Sequence, residues 1–546
     1  MMKKAIKKLL AALLAVAMVC AMAIPAFAYE SWETKEDLNK NHDYIAFQIF
    51  KGVISSKDNP TLSGVTWGSH ITNPDDFLKK LKDAPIIGAQ FHSIDATDAT
   101  NAATVQKVLA VISQWSDSDD DSIAFARFVC HYLYSNGAAP DSDIVGGNSS
   151  ITIPEAGYYL IVDTINFSNG DYYHAYNSFL LVNDTNQGEF NVIINHKVVK
   201  PTVEKKVYDN DNNDISSAGG WGSSADHAIN EKFQFQLIAK LPAGRDEGRA
   251  YDYYDKYTVC FNDTLSEGIT YDGLDSVVIE SNGTPYDITK DSSKYDIDTT
   301  DLESQNSFVV KIHDVKTCAE GLDLNDGATI TVTYTAHLND KAYVNTGSSS
   351  TENKNSVQLQ YSNNPRPGEY WGTTPKSEVY VYTYQLNNTK HAEKEDGTPL
   401  PGAVFQLYSD KDCTQEVKLY KVGNIYFPIK DATDKEKDAV QMISGQDGQF
   451  NVKGLDAGTY YLKETKTPAD YNPCDVPPVI IKANHKGNQV DLNGSTLSTT
   501  IINNKAGGIT LPSTGGIGTT IFYVVGGGLM VAAIVLLVTK KRMENK

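Results

Sequence analysis

From about Lys200 onward the chain is a succession of short runs in which apolar and polar residues alternate. FQFQLIAKL, YTVCFNDTL, SFVVKIHDV, ATITVTYTAHL and SVQLQYSNN are separated by Gly, Asn and Asp turns. A period of two sends every second side chain to the same face, so these runs suit half-buried strands. Their spacing and turn density predict an immunoglobulin-like sandwich over residues 199–375. The pattern resumes over residues 376–506 in EVYVYTYQL, GAVFQLYSD, GQFNVKGL, GTYYLKET and STTIINN, with PRPGEYWGTTPKS between the two read as a linker. The 31 Tyr, against 18 Phe and 5 Trp, fit strands with one wet face.

Residues 29–198 read differently. Asn73-Pro74-Asp75-Asp76 supplies cap and first-turn proline signals ahead of FLKKLKDA, which predicts a helix start. Val105, Val108, Leu109, Ile112 and Trp115 recur at helical spacing, as do Ile123, Phe128 and Leu133. From Ser150 the period returns to two. The expected architecture is mainly β: an α+β first domain with a helical insertion, followed by two sandwiches. AGYYLIVDT at Ala156 and AGTYYLKET at Ala457 form a weak internal repeat in which Asp163 echoes Glu464.

Both ends carry addresses. Lys3, Lys4, Lys7 and Lys8 precede an apolar core from Leu9 to Ile24, and Ala26-Phe27-Ala28 supplies a small-residue cleavage site. Residues 1–28 therefore read as a signal peptide, leaving Tyr29 as the first mature residue. Residues 507–546 hold an uncharged apolar run from Ile517 to Val538, long enough for a transmembrane helix, followed by Lys540, Lys541 and Arg542. That order keeps the basic stub in the cytoplasm and everything before the span outside.

Among 546 residues, 48 basic and 68 acidic residues give a net charge of −20 with no basic cluster outside the ends. Nucleic acid is excluded on that balance, because phosphate recognition needs concentrated Lys and Arg. Five cysteines follow the signal peptide; Cys260 with Cys318 and Cys413 with Cys474 are within-domain pairing options, leaving Cys130 alone. No cysteine spacing suits zinc, and no cofactor motif, phosphate loop or nucleophile elbow is present. Asp209-Asn210-Asp211-Asn212-Asn213-Asp214 hints at a calcium loop, but Asp214 stands where that loop needs Gly and Gly220 where it needs the closing Glu. A solvated turn is the plainer reading.

Leu511-Pro512-Ser513-Thr514-Gly515, just ahead of the apolar span and basic tail, resembles the cell-wall sorting signal of Gram-positive surface proteins. The resemblance implies that a sortase cuts between Thr514 and Gly515 and passes the Thr514 carbonyl to an amine. Lys390, EDGTPLPGAVFQLY, YYLKETKTPADY and TTIINN together resemble a Cna B-type domain, whose members form an intramolecular Lys–Asn isopeptide bond. Alternation puts Lys390 on the inward face with Tyr382, Tyr384 and Leu386, and Asn503 on one face with Ile501. Burial favours the nucleophilic free amine of Lys390 and a protonated Glu464 able to polarise an amide. Asn504 is the fallback for Asn503. KPTVEKKV, CFNDTLSEGITY and ENKNSVQLQYSNN resemble the Cna A-like middle domain of backbone pilins, which implies Lys205, Asp263 and Asn355 as lysine, acid and amide. Lys206 and Asn353 are one-slip alternatives. No Lys–Asn pair is expected in the first domain.

The junction NVIINHKVVKPTVEKKV aligns Lys197 with the lysine of the pilin motif, with Lys200 as competitor; His196 and Val198 depart from that motif. The whole chain thus resembles a Gram-positive major pilin. The resemblance implies a covalent homopolymer built by a class C sortase from Thr514 to Lys197, with tip and base pilins and peptidoglycan as further partners. Self-linking folds without turnover are not enzymes. The rival reading is a monomeric wall-anchored adhesin; nothing in the sequence identifies an adhesion ligand.

Overall fold

The computed structural model describes residues 44–54, 62–115, 119–140, 142–144, 150–151, 156–163, 177–182, 192–193, 201–210, 220–245, 249–345, 353–365 and 371–507. The signal peptide, Lys197, Lys200 and the segment from Leu511 to the end, with its predicted transmembrane helix, lie outside the described residues.

In the first domain the strands run in the order Leu62–Trp67, Tyr44–Ile54, Gly157–Asp163, Asn177–Val182, all antiparallel. Helices Pro74–Lys82, Ala102–Ile112 and Asp120–Ser135 fill the chain between the second and third of these. The first helix starts where the sequence signals put it: Asn73 accepts from the Asp76 amide, and Pro74 opens the first turn. Its Phe77, Leu78 and Leu81 are buried, and Phe77 meets Trp67 and Tyr132 edge-on at 5.3 and 4.9 Å. Arg127 pairs with Asp255, and Arg249 with Asp120 at 2.5 Å, tying this domain to the second.

The second domain is a two-sheet sandwich. One sheet runs Thr284–Asp287, Ile269–Ser281, Ala328–Leu338, Lys232–Leu241, Thr202–Asp209, Gly220–Gly222; the other runs Ser224–Asp226, Ser377–Tyr382, Asn353–Ser362, Val259–Leu265, Ser307–Ile312, Tyr295–Asp298. Phe235, Leu237, Ile330 and Val332 from the first face Phe261, Val310, Val357 and Leu359 from the second, all fully buried. Alternation predicted these inward faces. Two expectations need correcting. Within the stretch read as a linker, Trp371–Thr373 is a strand that pairs with Asn353–Ser362. The domain also extends past residue 375, since Ser377–Tyr382 is hydrogen-bonded between Asn353–Ser362 and Ser224–Asp226. Local composition, rich in Pro and Gly, hid a return strand whose partner lies in an earlier part of the chain. Neither of the two cysteine pairing options is taken up, as Cys318, Cys413 and Cys474 are free thiols.

The third domain follows after the single residue Thr383. One sheet runs Leu419–Val422, Ile425–Pro428, Val452–Leu455, Tyr384–Ala392, Ser498–Asn503, and the other Met442–Ile443, Val404–Tyr408, Gly458–Lys466, Val479–Ile481. Its first and last strands lie side by side in parallel, Lys390 opposite Ile501 and Ala392 opposite Asn503. Contact with the second domain is close. Asn230 Nδ2 donates to the Pro428 carbonyl at 2.8 Å, and the Ile229 amide to the Gly454 carbonyl at 2.9 Å. Gly454 has φ +81°, and a Cβ there would stand 2.5 Å from Ile229 Cδ1, so this approach requires glycine.

Candidate functional sites

In the strand Thr202–Asp209, Lys205 is the central inward residue, between Val203 and Val207. Its side chain is fully buried and paired with Asp263, equally buried on a strand of the facing sheet. Tyr334, on the first sheet, joins the group: its hydroxyl donates to Asp263 Oδ1 at 3.1 Å and accepts from Lys205 Nζ at 3.1 Å and Asn355 Nδ2 at 2.6 Å. Asn355 is itself 0 % exposed, and its Oδ1 is buried without a hydrogen bond. Burial pulls the Lys205 amine down to about 8 and raises the Asp263 carboxyl, against the mutual attraction of the two groups. Burial thus moves both groups toward their neutral forms, a free amine beside a carboxylic acid.

The one-slip alternatives occupy other places. Lys206 is half-exposed and lies 3.6 Å from Glu204. Asn353 is buried, but it holds backbone: it accepts from the Tyr343 amide and donates to the carbonyls of Tyr343 and Val381.

The third domain brings its predicted residues together differently. Lys390 Nζ donates directly to Asn503 Oδ1 from the neighbouring strand. Asn503 Nδ2 donates to Glu464 Oε1 at 2.9 Å and Oε2 at 3.2 Å, and Glu464 Oε1 stands 4.0 Å from Lys390 Nζ. Lys390 and Asn503 are 0 % exposed, whereas Asn504 faces solvent. Burial pulls the Lys390 amine down, partly offset by Cys474 and Glu464. Glu464 Oε2 accepts from the Thr467 hydroxyl and the Cys474 amide at 3.1 and 3.2 Å, which fixes the carboxyl against the asparagine.

Two members of these groups were not anticipated. Tyr334 sits in ATITVTYTAHL on the face of Ile330 and Val332, so its inward placement was readable, though not its partners. Cys474 Sγ, 3.5 Å from Lys390 Nζ and 3.7 Å from Glu464 Oε2, comes from an irregular Pro-rich segment with no period to read. In the first domain no lysine is buried among the described residues.

Residues 385–496 match the SpaA family, described as a prealbumin-like fold domain. Residues 503–545 match the LPXTG cell wall anchor motif, which assigns the chain to the Gram-positive cell wall. No curated protein matches the chain. Among solved structures, the T6 backbone pilin of Streptococcus pyogenes is 16% identical, with 88% of this chain and 100% of that chain covered and a TM-score of 0.49. The major pilin SpaD of Corynebacterium diphtheriae is 20% identical over 68% of this chain and 80% of that one, with a TM-score of 0.41. A 35 kDa C-terminal fragment of the Streptococcus agalactiae major pilin GBS80 is 21% identical over 56% and 100%, with a TM-score of 0.39.

Proposed function

We propose that this chain is the shaft subunit of a covalently polymerised surface pilus, with an intramolecular isopeptide bond in each of its second and third domains. The observation that carries the reading is the pair of buried lysine–acid–asparagine groups upstream of a cell-wall anchor motif. A buried lysine is costly when charged, and two such groups in successive domains have an economical explanation if each lysine is consumed in a bond.

In the third domain the neutral Lys390 Nζ attacks the Asn503 carboxamide carbon. A C–N bond forms to Nζ, the bond to Nδ2 breaks, and ammonia leaves. Glu464, hydrogen-bonded to Nδ2, is placed to carry the proton from the attacking amine to the leaving nitrogen. In the second domain Asp263 first takes the proton of the Lys205 ammonium. Tyr334, held by lysine, acid and asparagine together, positions the Asn355 amide for the same exchange. These are single events within each fold, without turnover. On a pulled appendage they close the route by which terminal strands would unzip, and they persist whatever the redox state.

Polymerisation needs an acceptor amine as well as Thr514, and Lys197, just ahead of the second domain, is the proposed one. A class C sortase would join the Thr514 carbonyl of one subunit to Lys197 of the next. Lys197→Ala should abolish the high-mass ladder from sortase-expressing cells while the monomer still folds. A ladder that persists moves the linkage to Lys200 or elsewhere; a wild-type chain giving no ladder favours the monomeric adhesin.

A further inference from the structure

The junction of the second and third domains buries another polar cluster, separate from both lysine sites. Asp209 closes the strand Thr202–Asp209, Asp226 closes Ser224–Asp226, and His485 lies in Asn484–Lys486 of the third domain. Their side chains are 3, 2 and 2% exposed. His485 Nε2 stands 3.4 Å from Asp209 Oδ2 and 3.6 Å from Asp226 Oδ1, and the three atoms lie within 4.8 Å of one another. The two separations from Nε2 match the edges of a tetrahedron around zinc, where bonds of about 2.0–2.2 Å set ligand atoms roughly 3.3–3.6 Å apart.

The surrounding groups aim the three at one point. Tyr384 Oη donates to Asp226 Oδ2 at 2.8 Å, turning Oδ1 inward, where it is buried and makes no hydrogen bond. His485 Nδ1 lies 3.0 Å from Ser224 Oγ, which also accepts from the Gly487 amide at 3.1 Å, so Nε2 faces the carboxylates. Such outer contacts orient metal ligands. Two buried carboxylates around one imidazole leave net negative charge whether or not the ring is protonated, and a divalent cation would neutralise it.

From this geometry we infer that Asp209, Asp226 and His485 form a zinc-type site, with water in the fourth position, that clamps the third domain to the second.

The test is a titration of the chelator-stripped full chain with zinc chloride against a chromophoric competitor. One ion per chain is expected to be lost in His485→Gln and Asp226→Asn, with affinity down about 100-fold or more, and weakened about 10-fold in Ser224→Ala, which keeps all three ligands. Zinc should raise the unfolding temperature of the wild type but not of His485→Gln. Should His485→Gln fail to fold, Ser224→Ala and Asp226→Asn decide. No binding by the wild type overturns the site, as does binding that these variants leave unchanged, which would put the ion on the thiols or elsewhere.

Discussion

The second and third domains hold the same three kinds of residue in opposite arrangements. In the third, lysine and asparagine are neighbours on parallel strands of one sheet, and the acid reaches them from the other sheet. In the second, lysine and asparagine belong to facing sheets, acid and lysine are in contact, and a tyrosine bridges to the amide. The first arrangement relies on strand pairing for its alignment. The second must fix the distance between two layers, and Tyr334 serves as the spacer. A bond there would fasten sheet to sheet, and one in the third domain would fasten edge to edge.

The comparison can be broken at its acids. Asp263→Ala should have the largest effect, because it prevents the bond and leaves Lys205 buried without a counter-charge. A loss of about 5 kcal/mol or more is expected in that domain, with the intact mass short of the variant's own sequence mass by one ammonia instead of two. A chain that still loses both ammonias would show that the acid is dispensable. Lys390→Ala should come next. Opening a closed loop of about 110 residues costs about 4–5 kcal/mol, lowering the third domain's melting temperature by roughly 15–20 °C in calorimetry. The second domain should keep its bond, and loss of both would mean that the two sites depend on each other.

Tyr334→Phe should sharpen the contrast, slowing bond formation in the second domain by about 100-fold and leaving the third untouched in a refolding time course followed by mass. A normal rate would reduce Tyr334 to a packing role. Cys474→Ala should matter least, shifting stability by under about 1 kcal/mol with the bond still complete. An unlinked third domain would instead make the thiol part of the chemistry.

The strand faces were legible because period two is a local property. Lys205, Lys390 and Asn503 are buried in the structure, as alternation implied; Asp263 and Asn355, which the family resemblance singled out, are buried as well. Register was less legible: Lys205 and Lys206 differ only by which face meets the core, and the burial of Asn353 shows that an inward asparagine can serve the backbone alone. What escaped was set by the fold. Ser377–Tyr382 joins the second domain because Asn353–Ser362 offers it an edge, which no local pattern reports. Asp209, Asp226 and His485 meet across 276 positions of sequence, so spacing rules written for short motifs cannot find them.

The parallel pairing of the third domain's first and last strands has a consequence for length. With Lys390 joined to Asn503, tension entering at the chain's exit passes straight into the strand Tyr384–Ala392 and on through Thr383 to Ser377–Tyr382. The roughly 110 residues between the joined positions would lie outside the tensioned path. Each would otherwise add about 3.3–3.6 Å on extension, so the subunit would resist stretching with a few residues of strand while carrying loops and insertions of any size at no cost in extensibility.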